Sequence, residues 1–201
     1  MPRDRADDDA IIRGVRFDGT PLLAVDAEAV EIDGCAFESS RLTGARFVRS
    51  QISDTSFSTC DFAEVRAQDV SLIRCEVSGS RFTGSSWAHG TYREVRFENC
   101  VFAPALLRSM RLFAVTFSQC RMVGVDLQNA ELHNVLFENC DLTGAQFANI
   151  KIVKAGGVRF EDCTLVDVGG ASSLAGAAVQ GPGAMELTLS LAREAGIFIE
   201  P

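Results

Sequence analysis

The sequence predicts an all-β fold, a four-sided parallel coil of very short strands with a helix at its C-terminal end. Three observations lead there: an apolar residue at every fifth position, a coarser repeat of twenty, and one helical pattern after residue 181. The finest period is the strongest. Stepping by five from Ile12 through Phe17, Leu22, Ala27 and Ile32 to Phe147 and Ile152 meets 29 consecutive positions without a charged or strongly polar side chain. Twelve of the fourteen phenylalanines lie on this series or on its continuation at Phe160. Two residues earlier runs a series of small residues, among them Val25, Cys35, Ala45, Cys60, Val65, Cys100, Ala130 and Cys140. A period of five fits neither the helix at 3.6 nor the ordinary strand at 2. The chain must therefore turn a corner every five residues, with one large and one small side chain facing a common interior.

The twenty-residue repeat sets how the corners close. Phe17, Phe37, Phe57, Val77, Phe97, Phe117 and Phe137 form one column, and Ile12, Ile32, Ile52, Leu72, Tyr92, Leu112, Leu132 and Ile152 form another. Four quintets thus complete one coil, and like residues stack on like. Coils spaced as β-strands, about 4.8 Å apart, give a rod roughly 35–40 Å long, stabilised by apolar burial between layers. Eight residues instead of five separate Ile152 from Phe160, which predicts a three-residue bulge within Lys154-Ala155-Gly156-Gly157. The pattern resumes at Val158 and Phe160 and frays over residues 168–178, where Leu174 and Val179 keep its echo. The expected organisation is a flexible acidic tail over 1–9, the β-helix over 10–180, and a helix with its tail over 181–201.

Pro182 and Gly183 punctuate the chain, and Ala184 to Ala195 reads as a helix that ends at Gly196 in the usual C′ role. Ala184, Leu187, Leu191 and Ala195 make one apolar stripe, and Met185, Leu189 and Ala192 make a second, wider together than one buried face requires. One stripe is expected to close the open end of the stack, and the other to meet a two-fold copy. Met185, Leu187, Leu189, Leu191, Ala192 and Ala195 are the expected dimerisation residues.

Composition narrows the function. The 201 residues carry 27 acidic and 19 basic side chains, a net charge of −8, which disfavours direct nucleic-acid binding. No apolar run reaches the ~20 residues of a membrane span, and the charged N-terminus lacks the apolar stretch of a signal peptide, so the expected location is the cytoplasm. All seven cysteines fall on the small inward series, without a C-x-x-C pair or a neighbouring histidine. Stacked Cβ atoms about 4.8 Å apart exceed the ~3.8 Å typical of a disulfide, so the thiols read as core filler. His89 and His133 fall on outward positions with no evident partner. There is no G-x-S-x-G, Walker A, G-x-G-x-x-G or HExxH motif, so no catalytic, metal-ligating or cofactor-binding residue is assigned and no cofactor is expected.

Outward columns are the remaining candidates. Beside the Phe column lie Asp18, Glu38, Ser58, Ser78, Glu98, Ser118, Glu138 and Glu161, with Asp162 next, while Arg16, Arg96 and Arg159 share the face. Carboxylates repeating along a rod imitate a phosphate spacing and can engage a DNA-binding groove, whereas cross-coil Arg–Glu pairs would neutralise them. Glu38, Glu98, Glu138, Glu161 and Asp162 are the candidate acidic contacts. A second column, Ile73, Arg93, Phe113, His133 and Val153, exposes more apolar surface than solubility needs, and Ile73 and Phe113 are its candidate contacts. Leu106 and Val123 are further outward apolar residues.

Val125-Asp126-Leu127-Gln128-Asn129, Ala130-Glu131-Leu132-His133-Asn134 and Cys140-Asp141-Leu142-Thr143-Gly144 resemble the Ala-Asp/Asn-Leu-X-X unit of pentapeptide-repeat proteins. The resemblance spans about residues 10–180 and implies a right-handed quadrilateral β-helix. Leu191-Ala192-Arg193-Glu194-Ala195-Gly196-Ile197 resembles the C-terminal helix through which Qnr- and MfpA-type members dimerise. That likeness implies a homodimeric DNA mimic that binds DNA gyrase or another type II topoisomerase, with quinolone or toxin resistance as the outcome. The alternative is a scaffolding protein that presents a flat face to another protein partner.

Overall fold

The computed structural model describes residues 9–198. Apart from Asp9, the tail expected over residues 1–9 lies outside the described residues, as do residues 199–201. Within them the chain winds into a right-handed, four-sided parallel β-helix of about eight coils with one C-terminal helix. Strands of mostly three residues stack in three parallel sheets of eight, nine and four strands, and isolated parallel bridges continue the sides that lack strands. The first face carries the Ile12 column, the second the Phe17 column, the third the Leu22 column and the fourth the Ala27 column.

Register confirms the period of twenty residue by residue. Ile12 pairs with Ile32, Leu72 with Tyr92, Phe17 with Phe37 and Phe97 with Phe117. The aromatic column forms two stacks, Phe17 to Phe57 and Phe97 to Phe160, with Val77 between them. Ring centroids lie 4.5 Å apart at Phe17–Phe37, 5.0 Å at Phe97–Phe117 and 5.1 Å at Phe117–Phe137, with interplanar angles of 9°, 6° and 6°. This spacing is the strand spacing, so backbone pairing and ring stacking reinforce one another. Each such ring removed from water contributes about 1.5–3 kcal/mol.

Corners explain the five-residue step. At most corners the second residue after the central apolar one adopts the left-handed conformation, as at Asn99 (φ 53°), Asn139 (φ 51°) and Gly144 (φ 68°); Pro104 and Lys154 are exceptions. Asparagine and glycine tolerate that region best, which accounts for their recurrence there. On the third face, and on the fourth from residue 106 onward, the quintets are turns rather than strands. There the aspartate of the repeat unit earns its place: Oδ1 of Asp61, Asp126 and Asp141 accepts the N–H of Ala63, Gln128 and Thr143 at 3.0, 3.0 and 3.1 Å.

The insertion falls where the spacing places it. Phe137 pairs with Phe160, a step of 23, and the surplus forms a small loop closed by Gly157 N–H to Lys154 O at 2.9 Å. Beyond it, Ala171–Leu174 makes a 3-10 turn with Leu174 buried, and Ala178–Gln180 adds a last strand with Val179 opposite Phe160.

The small inward series holds more than apolar residues. Ser40, Ser50, Thr55, Ser80 and Ser85 occupy its gaps and are buried. Ser80 Oγ accepts the Cys60 N–H at 3.0 Å and donates to Ser78 O at 2.9 Å, which joins one coil to the previous one. The seven cysteines are free and buried at equivalent positions. Cys100 Sγ reaches Val77 O at 3.5 Å and Glu98 O at 3.4 Å, and burial pushes the Cys60 and Cys75 thiols up from their ordinary value.

The helix spans Gly183–Glu194, one residue earlier than its pattern suggested, with Gly196 in the left-handed C′ position (φ 74°). Its inward face differs from the expected stripe. Gly183, Leu187 and Ser190 are buried, whereas Ala184, Leu191 and Ala195 are exposed. Leu187, placed above among the dimerisation residues, instead joins the core of this chain. Polar clamps set the rotation. Glu186 Oε2 accepts the Leu165 N–H at 2.6 Å, and Glu194 accepts those of Ala171 and Ser172 at 2.7 and 3.0 Å. Gly183 permits the close seat, since a Cβ there would lie 2.5 Å from Cys163 O. The helix thus supplies acceptors to the last coil, whose N–H groups have no further coil to donate to.

Candidate protein-docking face

Each central apolar residue is flanked by two outward residues, so every face carries two parallel columns at coil spacing. On the second face the acidic candidates do share a column: Asp18 pairs with Glu38, Glu98 with Ser118, Ser118 with Glu138, and Glu138 with Glu161. The column is a patchwork. Ser58, Ser78 and Ser118 interrupt it, and Arg16, Arg96 and Arg159 stand in the adjacent column of the same sheet. Arg159 pairs with Glu161 at 2.5 Å, Arg96 approaches Glu98 at 3.8 Å, and Ser118 Oγ donates to Glu138 at 3.0 Å. Asp162 sits at the following corner with φ 50°. Cross-coil pairs recur on the other faces, as in Arg46–Asp26 at 2.8 Å, Arg81–Asp61 at 2.7 Å and the Arg49–Glu28 pair.

The first face is organised differently in its C-terminal half. The register Thr91–Arg93, Arg111–Phe113, Glu131–His133 stacks three unlike side chains in one column. The Arg93 guanidinium lies 4.8 Å from the centroid of the Phe113 ring, and the His133 imidazole stacks on its other neighbour side at 4.2 Å and 24°. His133 Nε2 lies 2.8 Å from Glu131 Oε1, and Lys151 Nζ lies 3.4 Å from the same oxygen. The hydrogen bond with His133 and the nearby Lys151 charge hold the Glu131 carboxyl below its ordinary value. His133, read from sequence as partnerless, therefore has both an aromatic and a carboxylate partner. Residues 131 and 133 flank the same inward Leu132, so the spacing of two already carried that signal.

The outward apolar residues do not form one patch. Ile73 and Phe113 share the first-face column with Arg93 between them, but Leu106 lies on the fourth face and Val123 on the third. Among the described residues, no group of three or more His, Cys, Asp or Glu side chains is placed to hold a metal ion. At the C-terminal end, Met185, Leu189 and Leu191 are 69%, 45% and 40% exposed, a second apolar surface beside the capping face.

Flat faces built from five-residue steps define a class, the quadrilateral β-solenoid. Residues 91–169 match the family model described as a pentapeptide repeat region, which marks that stretch as pentapeptide repeat, and the same five-residue step continues on both sides of it. Among solved structures the chain is similar to HetL, a pentapeptide repeat protein involved in heterocyst differentiation regulation from the cyanobacterium Nostoc sp. strain PCC 7120, at 10% identity. That likeness covers 82% of this chain and 84% of that one, with a TM-score of 0.43. It is also similar to QnrB1, a plasmid-mediated fluoroquinolone resistance protein, at 14% identity over 92% of this chain and 99% of that one, with a TM-score of 0.31. A pentapeptide repeat protein of the Arabidopsis thaliana thylakoid lumen is 15% identical over 70% and 67% of the two chains, with a TM-score of 0.22. No curated protein sequence matches the chain.

Proposed function

We propose that the chain is a non-enzymatic scaffold that binds a protein partner through the first face around Phe113 and His133. The stacked Arg93–Phe113–His133 column carries this reading. Arginine and aromatic residues dominate the energetics of protein interfaces, and stacking holds these three in place before a partner arrives. Arg111 and Lys151 flank the column, so the partner is expected to present carboxylates around an apolar residue. The proposed setting is the cytoplasm; among the described residues, no helix is long and apolar enough to cross a membrane. Affinity capture with the wild type, F113A and an E38K/E98K/E138K variant tests the reading. A partner retained by the wild type and the triple variant but lost by F113A supports it, and retention by F113A overturns it.

Binding to DNA gyrase or another type II topoisomerase is the second reading, favoured by the shared column of Glu38, Glu98, Glu138 and Glu161. It would act through a homodimer joined at Met185, Leu189 and Leu191, whose exposure leaves them available. Inhibition of gyrase supercoiling, or relief of quinolone inhibition, at near-stoichiometric protein is the expected result; neither effect at high excess removes it. Sedimentation of wild type against L189D reports the dimer separately.

A further inference from the structure

The two ends of the coil stack are finished differently. The last coil carries the helix, whereas the first described coil leaves Ile12, Phe17, Leu22 and Val25 only partly buried. Behind them lies a cavity of about 240 Å³ that reaches past Ile32 and Phe57 to Trp87. Its lining is almost wholly apolar, and it spans positions from the first coil to the fourth, a depth of about 14 Å at strand spacing. The cause is visible in the fourth-face column. Ala27 and Ala67 stand where later coils carry Leu107, Leu127 and Phe147, so the first and third layers lack the side-chain volume that fills the later ones.

We infer that this cavity is a binding site for an unbranched alkyl chain of about eight carbons, entering at the first coil and ending against Trp87. An apolar cavity of about 150 Å³ already takes up benzene, and at about 30 Å³ per water-sized group this one holds about eight methylenes. Its shape, deep along the axis and enclosed by side chains of all four faces, suits a chain better than a broad ring system. Water gains nothing there, because the walls offer it too few hydrogen-bond partners. The sequence before Asp9 is a poor occupant: of residues 1–8, Arg3, Asp4, Arg5, Asp7 and Asp8 are charged, and burying them would strand those charges.

Trp87 is the single tryptophan of the chain and reports on the site directly. Titration of the full chain with 1-octanol, followed by Trp87 emission, is expected to show a saturable shift at submillimolar alcohol, with ethanol at equal concentration giving none. A27F, which places a ring beneath Phe47, is expected to weaken the response at least tenfold while far-UV circular dichroism stays unchanged. Should A27F not fold, NOEs between the octanol methylenes and the Trp87 indole protons in the wild type decide the matter. No saturable shift, an equal response from folded A27F, or no such NOEs would overturn the inference.

Discussion

The N-terminal and C-terminal halves of the solenoid follow one design and execute it differently. From Val95 to Ile150 every small inward position is apolar, and Phe97, Phe117 and Phe137 are wholly buried. Before residue 91 six of those positions are Ser or Thr, the axis holds a cavity, and the first described coil is partly exposed. The matched family region, 91–169, coincides with the regular half. A five-residue step alone therefore suffices to build the coil. Close packing along the axis depends further on both inward series staying apolar and the large series staying large.

The largest expected effect tests that contrast in the cores. F117A removes a ring from a closed stack and is expected to cost about 3–5 kcal/mol. F37A, next to the axial cavity and one coil from the first described one, is expected to cost about 1–2 kcal/mol less, because the packing around it is already incompletely filled. Urea unfolding followed by circular dichroism measures both, and equal losses would break the comparison. The buried hydroxyls sharpen it. S80A leaves the Cys60 N–H without its acceptor and is expected to cost about 1–2 kcal/mol. S80C restores the residue type found above and below it in the column, at Cys60 and Cys100, and is expected to recover part of that loss.

Those serines also mark where sequence reading stopped. The large series, the register of twenty, the bulge before Phe160 and the helix near Gly183 all follow from periodicity, because a coil of fixed perimeter must repeat its inward side chains. Hydrophobic pattern could not assign Ser50 or Ser80 to the core, since their burial depends on a backbone N–H twenty residues earlier. Nor could it fix the rotation of the helix. Apolar stripes left open which side caps the stack; the carboxylates of Glu186 and Glu194 seek the last coil's N–H groups and turn Gly183, Leu187 and Ser190 inward. On the docking face, the columns were legible from spacing; the Arg93–Phe113–His133 stack needed side-chain direction.

The clamped end predicts a pH dependence of its own. Partial burial works to raise the Glu194 carboxyl, but the N–H groups of Ser172 and Ala171 outweigh it and hold it below its ordinary value. A depressed carboxyl stabilises the fold fully above its unfolded value, near ~4.3, and that contribution disappears as pH falls through the lower folded value. Amide resonances of Ala171 and Ser172 are expected to shift together in that acid range. E194Q is expected to abolish the transition, with a small stability loss because the side chain is largely solvated.

Phe113→Ala brings the smallest expected change in stability, and the comparison between halves says why. Phe113 faces outward, so its loss leaves both inward series and every backbone rung intact. It removes the Arg93 contact and the His133 stack, each at the low end, about 0.5 kcal/mol, where solvent competes. Unfolding is therefore expected to move by less than about 1 kcal/mol, against the several lost at Phe117 four residues away. His133 would keep its bond to Glu131, so its imidazole resonances should lose the ring-current shift of Phe113 without losing their coupling to the carboxylate. A partner lost by this variant at nearly unchanged stability would place the ring in recognition; a stability loss matching F117A would show that it holds the coil together instead.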